Sequence, residues 1–236
     1  MLKRFLSVCV VMLLVGSSVA SADEAAIRKA AQAKFPRANV QSVTKLPFLG
    51  LYELIVNGEI VYSDENFDYI IYEGNIIDVK NDRNFTEERK RKLAMIPFED
   101  LPLDLAVKRV KGNGERKMAI FTDPDCPFCK RIEGDLAKVD NVTIHLFLYP
   151  VLGPDSVVKA RNIWCAKDKA KAWTDWMQRG VAAETAECDT AALTRNREFG
   201  QKYNITGTPT LIFSDGTRAP GAIPAAQVEK QLAATH

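Results

Sequence analysis

Residues 118–130 read Met118-Ala119-Ile120-Phe121-Thr122-Asp123-Pro124-Asp125-Cys126-Pro127-Phe128-Cys129-Lys130. The run Met118–Phe121 has the composition of a short buried strand, and a Cys-x-x-Cys follows within a few residues. Beyond it Ile132, Leu136 and Val139 recur at helical spacing, which predicts a helix whose first turn holds Cys126. Unpaired N–H groups and the positive dipole end at a helix start stabilise a thiolate, the form that attacks disulfides. Pro127 suits the first turn, where its missing N–H is no loss. Cys129 lies one turn on, placed to close a small disulfide ring with Cys126. A structural zinc site takes four ligands, and the two histidines, His145 and His236, fall in a strand-like run and at the last residue. Strand, Cys-x-x-Cys, helix therefore reads as a redox dithiol, Cys126 attacking and Cys129 resolving, with no metal and no cofactor.

The N-terminus has the form of a secretory leader. Lys3 and Arg4 precede an apolar run, Phe5 to Val15, too short to span a bilayer, and Ala20-Ser21-Ala22 fits cleavage after Ala22. Cys9 leaves with residues 1–22. The chain carries 32 Lys+Arg and 30 Asp+Glu. The leader holds two bases and no acid, so the mature chain is close to neutral, which argues against nucleic acid as a partner. Four cysteines remain for an oxidising compartment. Cys126/Cys129 form one pair. Cys165/Cys188, 23 positions apart, read as a structural disulfide, with two free buried thiols as the alternative.

Residues 23–35, Ala-rich with acids first and bases later, predict a helix that Pro36 ends. From Val40 to Val79 the period becomes two. Residues 51–56 and 59–62 flank Asn57-Gly58, a type I′ hairpin signal, and residues 69–72 and 75–79 flank Gly74, read as a second hairpin. Some 55 residues bury little core, so pairing with a second copy through a strand edge is expected. Thr86-Glu87-Glu88 opens a charged helix with Thr86 as its N-cap, read as an exposed spacer. The breaks divide the chain into 1–22 leader, 23–81 N-terminal domain, 82–105 linker with helix, and 106–236 redox domain.

In the last of these, Val142–Tyr149 is a second buried strand, parallel to the first across a β-α-β unit. Residues 156–200 hold helical patterns whose Trp164, Trp173 and Trp176 read as core. Residues 210–213 and 217–220 flank Asp215-Gly216 as a hairpin, and a helix from Pro224 closes the chain. This order is that of the thioredoxin fold. In that fold Pro209 of Gly207-Thr208-Pro209 is cis and sets the Thr208 backbone beside Cys126, where an extended substrate pairs with it.

The mature chain resembles the periplasmic disulfide isomerases of the DsbC and DsbG family. The resemblance is carried by Phe121-Thr122-Asp123, by Ile163-Trp164-Cys165-Ala166-Lys167-Asp168-Lys169, by Gly207-Thr208-Pro209, and by Asp215-Gly216-Thr217 with Pro220-Gly221. It implies a cystatin-like α+β dimerisation domain joined by a linker helix to an α/β thioredoxin-fold domain with a helical insertion. It also implies a V-shaped homodimer, misfolded disulfide-containing exported proteins as substrates, and a membrane reductant, DsbD, that keeps the dithiol reduced. Pro127-Phe128 departs from the Gly-Tyr of the DsbC pattern toward the Pro-aromatic of DsbG, and this dipeptide tunes redox poise. The expected activity is periplasmic disulfide isomerisation and reduction. The alternatives are a DsbG-like reductase of sulfenylated single cysteines and a holdase that binds unfolded exported proteins. Asp123 and Asp125 read as turn residues rather than acid–base groups.

Overall fold

The computed structural model describes residues 19–235. The leader expected over residues 1–22 lies outside them up to residue 18, and the helix α1, Val19–Lys34, runs through residues 19–22. Among the described residues no helix is long and apolar enough to cross a membrane. The chain forms two compact units divided between Lys90 and Arg91.

In the first unit, β1 (Val40–Lys45), β2 (Tyr52–Val56), β3 (Glu59–Ser63) and β4 (Ile70–Tyr72) pair in that order as an antiparallel sheet. The β2–β3 turn is Asn57-Gly58 with φ of 53° and 86°, the two positive values a type I′ turn needs. Ile27 and Ala31 of α1 pack on Val43, Tyr52, Leu54 and Val61, while Ile55, Ile60 and Tyr62 form a second cluster with Leu46.

The hairpin expected around Gly74 does not form. Glu73 takes φ 58° but Gly74 stays out of the left-handed region, so a type I′ turn cannot close there. Ile76 N–H donates to the Thr86 hydroxyl and its carbonyl accepts from Phe85 N–H. The strand that follows, β5 (Ile77–Asp78), pairs with β6 (Arg83–Asn84) instead of β4.

Helix α2, Phe85–Leu93, is not capped by Thr86. The Asn84 carboxamide oxygen accepts from Glu87 N–H at 2.9 Å, three residues on, which is the capping relation. Thr86 is buried, its hydroxyl 2.7 Å from Tyr62 Oη. Arg89 Nε donates at 2.8 Å to Glu53, a buried carboxylate on β2. The charged helix therefore closes over its own unit in its first turns, rather than standing wholly in solvent.

In the second unit the strands β7 (Val107–Lys111), β8 (Arg116–Thr122), β9 (Val142–Leu148), β10 (Thr210–Phe213) and β11 (Arg218–Pro220) form one sheet ordered β11-β10-β8-β9-β7. Only β8 and β9 run parallel. Helices α3 (Pro127–Leu136), α4 (Pro154–Cys165), α5 (Lys169–Arg179), α6 (Ala191–Lys202) and α7 (Ala225–Ala234) complete it. Alternation along β8 serves two cores. Met118 and Ile120 join Ile132, Leu136, Trp173, Val228 and Leu232, whereas Ala119 and Phe121 join Phe147, Tyr149, Ala192 and Ile212. With both faces covered, β8 and β9 are near-continuous apolar runs, which is why they were legible.

Candidate functional site

The redox turn hangs between two rigid supports, the end of β8 at Thr122 and the start of α3 at Pro127. Cys126 occupies the N-cap with φ −74° and ψ 119°, one position ahead of the expected first turn, and Pro127 takes the first helical position. Cys126 N–H donates to Asp123 O at 3.2 Å, and its carbonyl accepts from Lys130 N–H at 3.0 Å. Its sulfur thus sits at the positive end of α3. Both Cys126 and Cys129 are free thiols.

The two sulfurs have different surroundings. Cys126 is 3% exposed and Cys129 is fully buried, while Phe128 between them is 52% exposed under the guanidinium of Arg131. Burial pushes the Cys129 thiol up to about 12, against weaker opposite pulls from the Thr122 hydroxyl and the Asp123 N–H. Cys129 therefore holds its proton at neutral pH.

Facing Cys126 is the loop before β10. The Thr208–Pro209 peptide is cis, and Cys126 Sγ donates to Thr208 O at 3.2 Å. Side chains from elsewhere brace this loop. Tyr149 Oη donates to Ile205 O at 3.0 Å, Arg218 donates to Tyr203 O and Asn204 O, and Thr210 Oγ1 donates to Gly207 O. Pro209 is buried, Thr208 half-buried and Gly207 exposed, so the loop reaches from the core to the surface beside the sulfur.

Sequence reasoning missed the wall on the other side. Trp173 is fully buried as expected, but Trp176 is only half-buried and its Nε1 donates to Pro124 O at 2.7 Å. Lys130 and Lys159 lie over its ring at 4.8 and 5.1 Å, and Lys159 also pairs with Asp125 at 2.5 Å. The bonds to Pro124 and Asp125 join residues 52 and 34 positions apart, so no local pattern announces them. Cys165 and Cys188 are bonded, tying the end of α4 to the segment before α6. Among the described residues no group of three or more His, Cys, Asp or Glu is arranged to hold a metal.

The chain is similar to known proteins along both of its units. Residues 18–87 match the disulfide bond isomerase protein N-terminal domain, and residues 103–236 match the thioredoxin-like domain. The probable thiol:disulfide interchange protein DsbC of Bordetella pertussis is 44% identical over 207 residues, which cover 88% of this chain and 73% of that one. The chain belongs to the DsbC family. The DsbC of Escherichia coli is 27% identical over 221 residues, 92% of this chain and 90% of that one. The crystal structure of a disulfide interchange protein from Neisseria gonorrhoeae superposes with a TM-score of 0.55 and 41% identity. That match covers 57% of this chain and 98% of the other. At 18% identity and a TM-score of 0.52, the thiol-disulfide exchange protein α-DsbA2 of Wolbachia pipientis shares the fold. The DsbC relatives keep company with a chain whose inter-cysteine dipeptide is Pro127-Phe128, so the departure at that dipeptide does not remove it from the family.

Proposed function

We propose that the chain rearranges non-native disulfides in exported proteins of the periplasm, with Cys126 as nucleophile and Cys129 as resolving thiol. The observation that carries this is the asymmetry of the pair: an N-cap sulfur against the Thr208 carbonyl, and a buried partner whose thiol titrates at about 12. The Cys126 thiolate attacks one sulfur of a substrate disulfide, an enzyme–substrate disulfide forms, and the other substrate sulfur leaves as a thiolate. That thiolate attacks a second substrate disulfide, and a later substrate thiolate expels Cys126 with no net oxidation. Reduction is the competing exit: Cys129 loses its proton, attacks Cys126 Sγ, and releases substrate as a dithiol. The enzyme is then oxidised and requires two electrons from a reductant, for which the family resemblance names DsbD. Burial is the largest cause that disfavours the Cys129 thiolate, and this slows the exit relative to rearrangement. The Thr208–Pro209 loop holds the substrate backbone, and Pro127 and Phe128 tune the poise.

A homodimer through the N-terminal unit is supported by its open edge. β4 ends the sheet, and Tyr69, Ile70, Ile71 and Tyr72 are all exposed there, an apolar strand edge that a second copy would cover. Export with cleavage after Ala22 rests on the leader pattern.

The test is reactivation of a scrambled multi-disulfide protein by the reduced mature chain, with Cys126→Ala alongside. Reactivation that vanishes in the variant is the expected result. Reactivation that survives in it ends the assignment of Cys126.

A further inference from the structure

Asp123 is fully buried, three residues before the nucleophile, and no basic side chain pairs with it among the described residues. Its carboxylate is nonetheless heavily used. Oδ1 accepts from Asp125 N–H at 2.8 Å and from the Ser156 hydroxyl. Oδ2 accepts from Val151 N–H at 2.8 Å and Leu152 N–H at 3.1 Å. All four partners are donors, which suits a group that only accepts. They come from three places: the redox turn itself, the loop after β9, and the first turns of α4. The main chain of the same residue takes Cys126 N–H on its carbonyl.

A buried carboxylate is costly unless its hydrogen bonds are met, so each of these donors is fixed by the penalty for losing it. Val151 and Leu152 are 44% and 56% exposed, so their side chains are not what anchors that loop. Their backbone N–H groups are anchored by Asp123. Ser156 is 1% exposed and makes its one side-chain bond here.

We propose that Asp123 is the positioning residue of the redox turn. It locks the Asp123–Cys126 segment to the 151–152 loop and to α4, and thereby sets the line along which Cys126 Sγ meets a substrate disulfide. This rests on Cys126 being the nucleophile. In-line attack on a sulfur is sensitive to direction, and misplacement by about 1 Å can cost about a hundredfold in rate. The Asp123 carboxylate touches no reacting atom, so its effect falls on the chemical step and not on substrate affinity.

The experiment compares Asp123→Asn with the wild type in the full mature chain, by steady-state reactivation of a scrambled protein and by the rate of reaction with oxidised glutathione. The asparagine keeps the shape but turns one acceptor into a donor facing donors. A folded Asp123→Asn with kcat lowered at least tenfold, KM within twofold, and a similarly slowed glutathione reaction is the expected result. Wild-type kcat in that folded variant overturns the proposal. If Asp123→Asn does not fold, Ser156→Ala decides: it removes one donor, and a severalfold lower kcat at constant KM supports the role, whereas an unchanged kcat overturns it. Val228→Ala, a core truncation on α7, supplies the stability control. A loss of kcat in Val228→Ala equal to that of Asp123→Asn at matched melting temperature reduces Asp123 to a stability residue. Cys126→Ser run in parallel separates the two levels: activity retained there overturns the nucleophile itself, whatever Asp123→Asn does.

Discussion

The Arg109 guanidinium donates to the Glu133 carboxylate at 2.7 Å, joining the edge strand β7 to the redox helix α3. Glu133 is 1% exposed, and its other oxygen accepts from Trp173 Nε1 at 2.9 Å. Both oxygens are thus occupied by donors from two other elements. Removing the carboxylate leaves a largely buried cation and an indole N–H without partners. Glu133→Ala is expected to destabilise the second unit by about 3–5 kcal/mol. Trp173→Phe removes one neutral partner of a charged group and is expected to cost about 1.5–3 kcal/mol for the bond, plus packing. Urea unfolding followed by far-UV circular dichroism measures both. An Ala variant within about 1 kcal/mol of wild type would show that the pair merely offsets its own desolvation.

The raised Cys129 thiol makes a reactivity prediction. Reduced native protein treated with iodoacetamide at pH 8 should gain one adduct, on Cys126, and a second only after unfolding. Peptide mass mapping reads this directly; two adducts on the native chain contradict the burial argument.

The same shift makes a stability prediction. Cys129 binds its proton more tightly folded, at about 12, than unfolded, at about 8.5. The unfolded state therefore loses that proton first as pH rises. The contribution is complete below about pH 8.5 and is lost on the way to about 12. Reduced wild type should lose stability across that window more steeply than Cys129→Ala, as seen in denaturation midpoints at stepped pH.

His145 on β9 works in the opposite direction. Burial first, and then the charges of Lys108 and Lys117, hold its imidazole below the ordinary value, with Phe98 packed edge-on to the ring. Among the described residues its Nδ1 has no hydrogen-bond partner. The unfolded chain takes up the proton first, so stability is complete above about pH 6.5 and falls as pH drops below it. His145→Leu should flatten that acid-side fall. An identical slope in both proteins would mean that the imidazole takes no part.

Cys165–Cys188 closes a loop of 23-residue separation, and α4 and the segment before α6 are otherwise joined here by the Trp164 Nε1 bond to Asp189 O at 3.0 Å. Cys165→Ala/Cys188→Ala should lower stability by about 3 kcal/mol while Cys126 alkylates at the wild-type rate. A changed rate would tie this bridge to the redox turn.

The parts of the fold that the sequence made legible are those where one local pattern decides the outcome. Met118–Phe121 and Val142–Tyr149 are apolar because both faces of β8 and β9 are covered, and Asn57-Gly58 turns because both residues reach positive φ. β7 was not legible: Val107-Lys108-Arg109-Val110-Lys111 is a basic edge strand with one buried side chain, and it falls in the redox domain with no element assigned to it. Gly74 misled because Ile76 pairs with Thr86 and Phe85, ten and nine positions on, which no local pattern shows. The same contact with Tyr62 took Thr86 away from capping. In the site, the dithiol and the Thr208–Pro209 loop were visible as motifs. The work of Asp123, Trp176 and Lys159 was not, because each acts on residues more than twenty positions away.

The sealed position of Cys129 amounts to a clock. In the proposed mechanism each enzyme–substrate disulfide lasts until that buried thiol attacks it, and two outcomes race against that attack. A client that finds a new pairing within the lifetime leaves rearranged, at no cost in electrons; a slower one leaves reduced, and starts its oxidative folding again. Clients are thereby sorted by how fast they reorganise, with no recognition of which cysteines are the right ones.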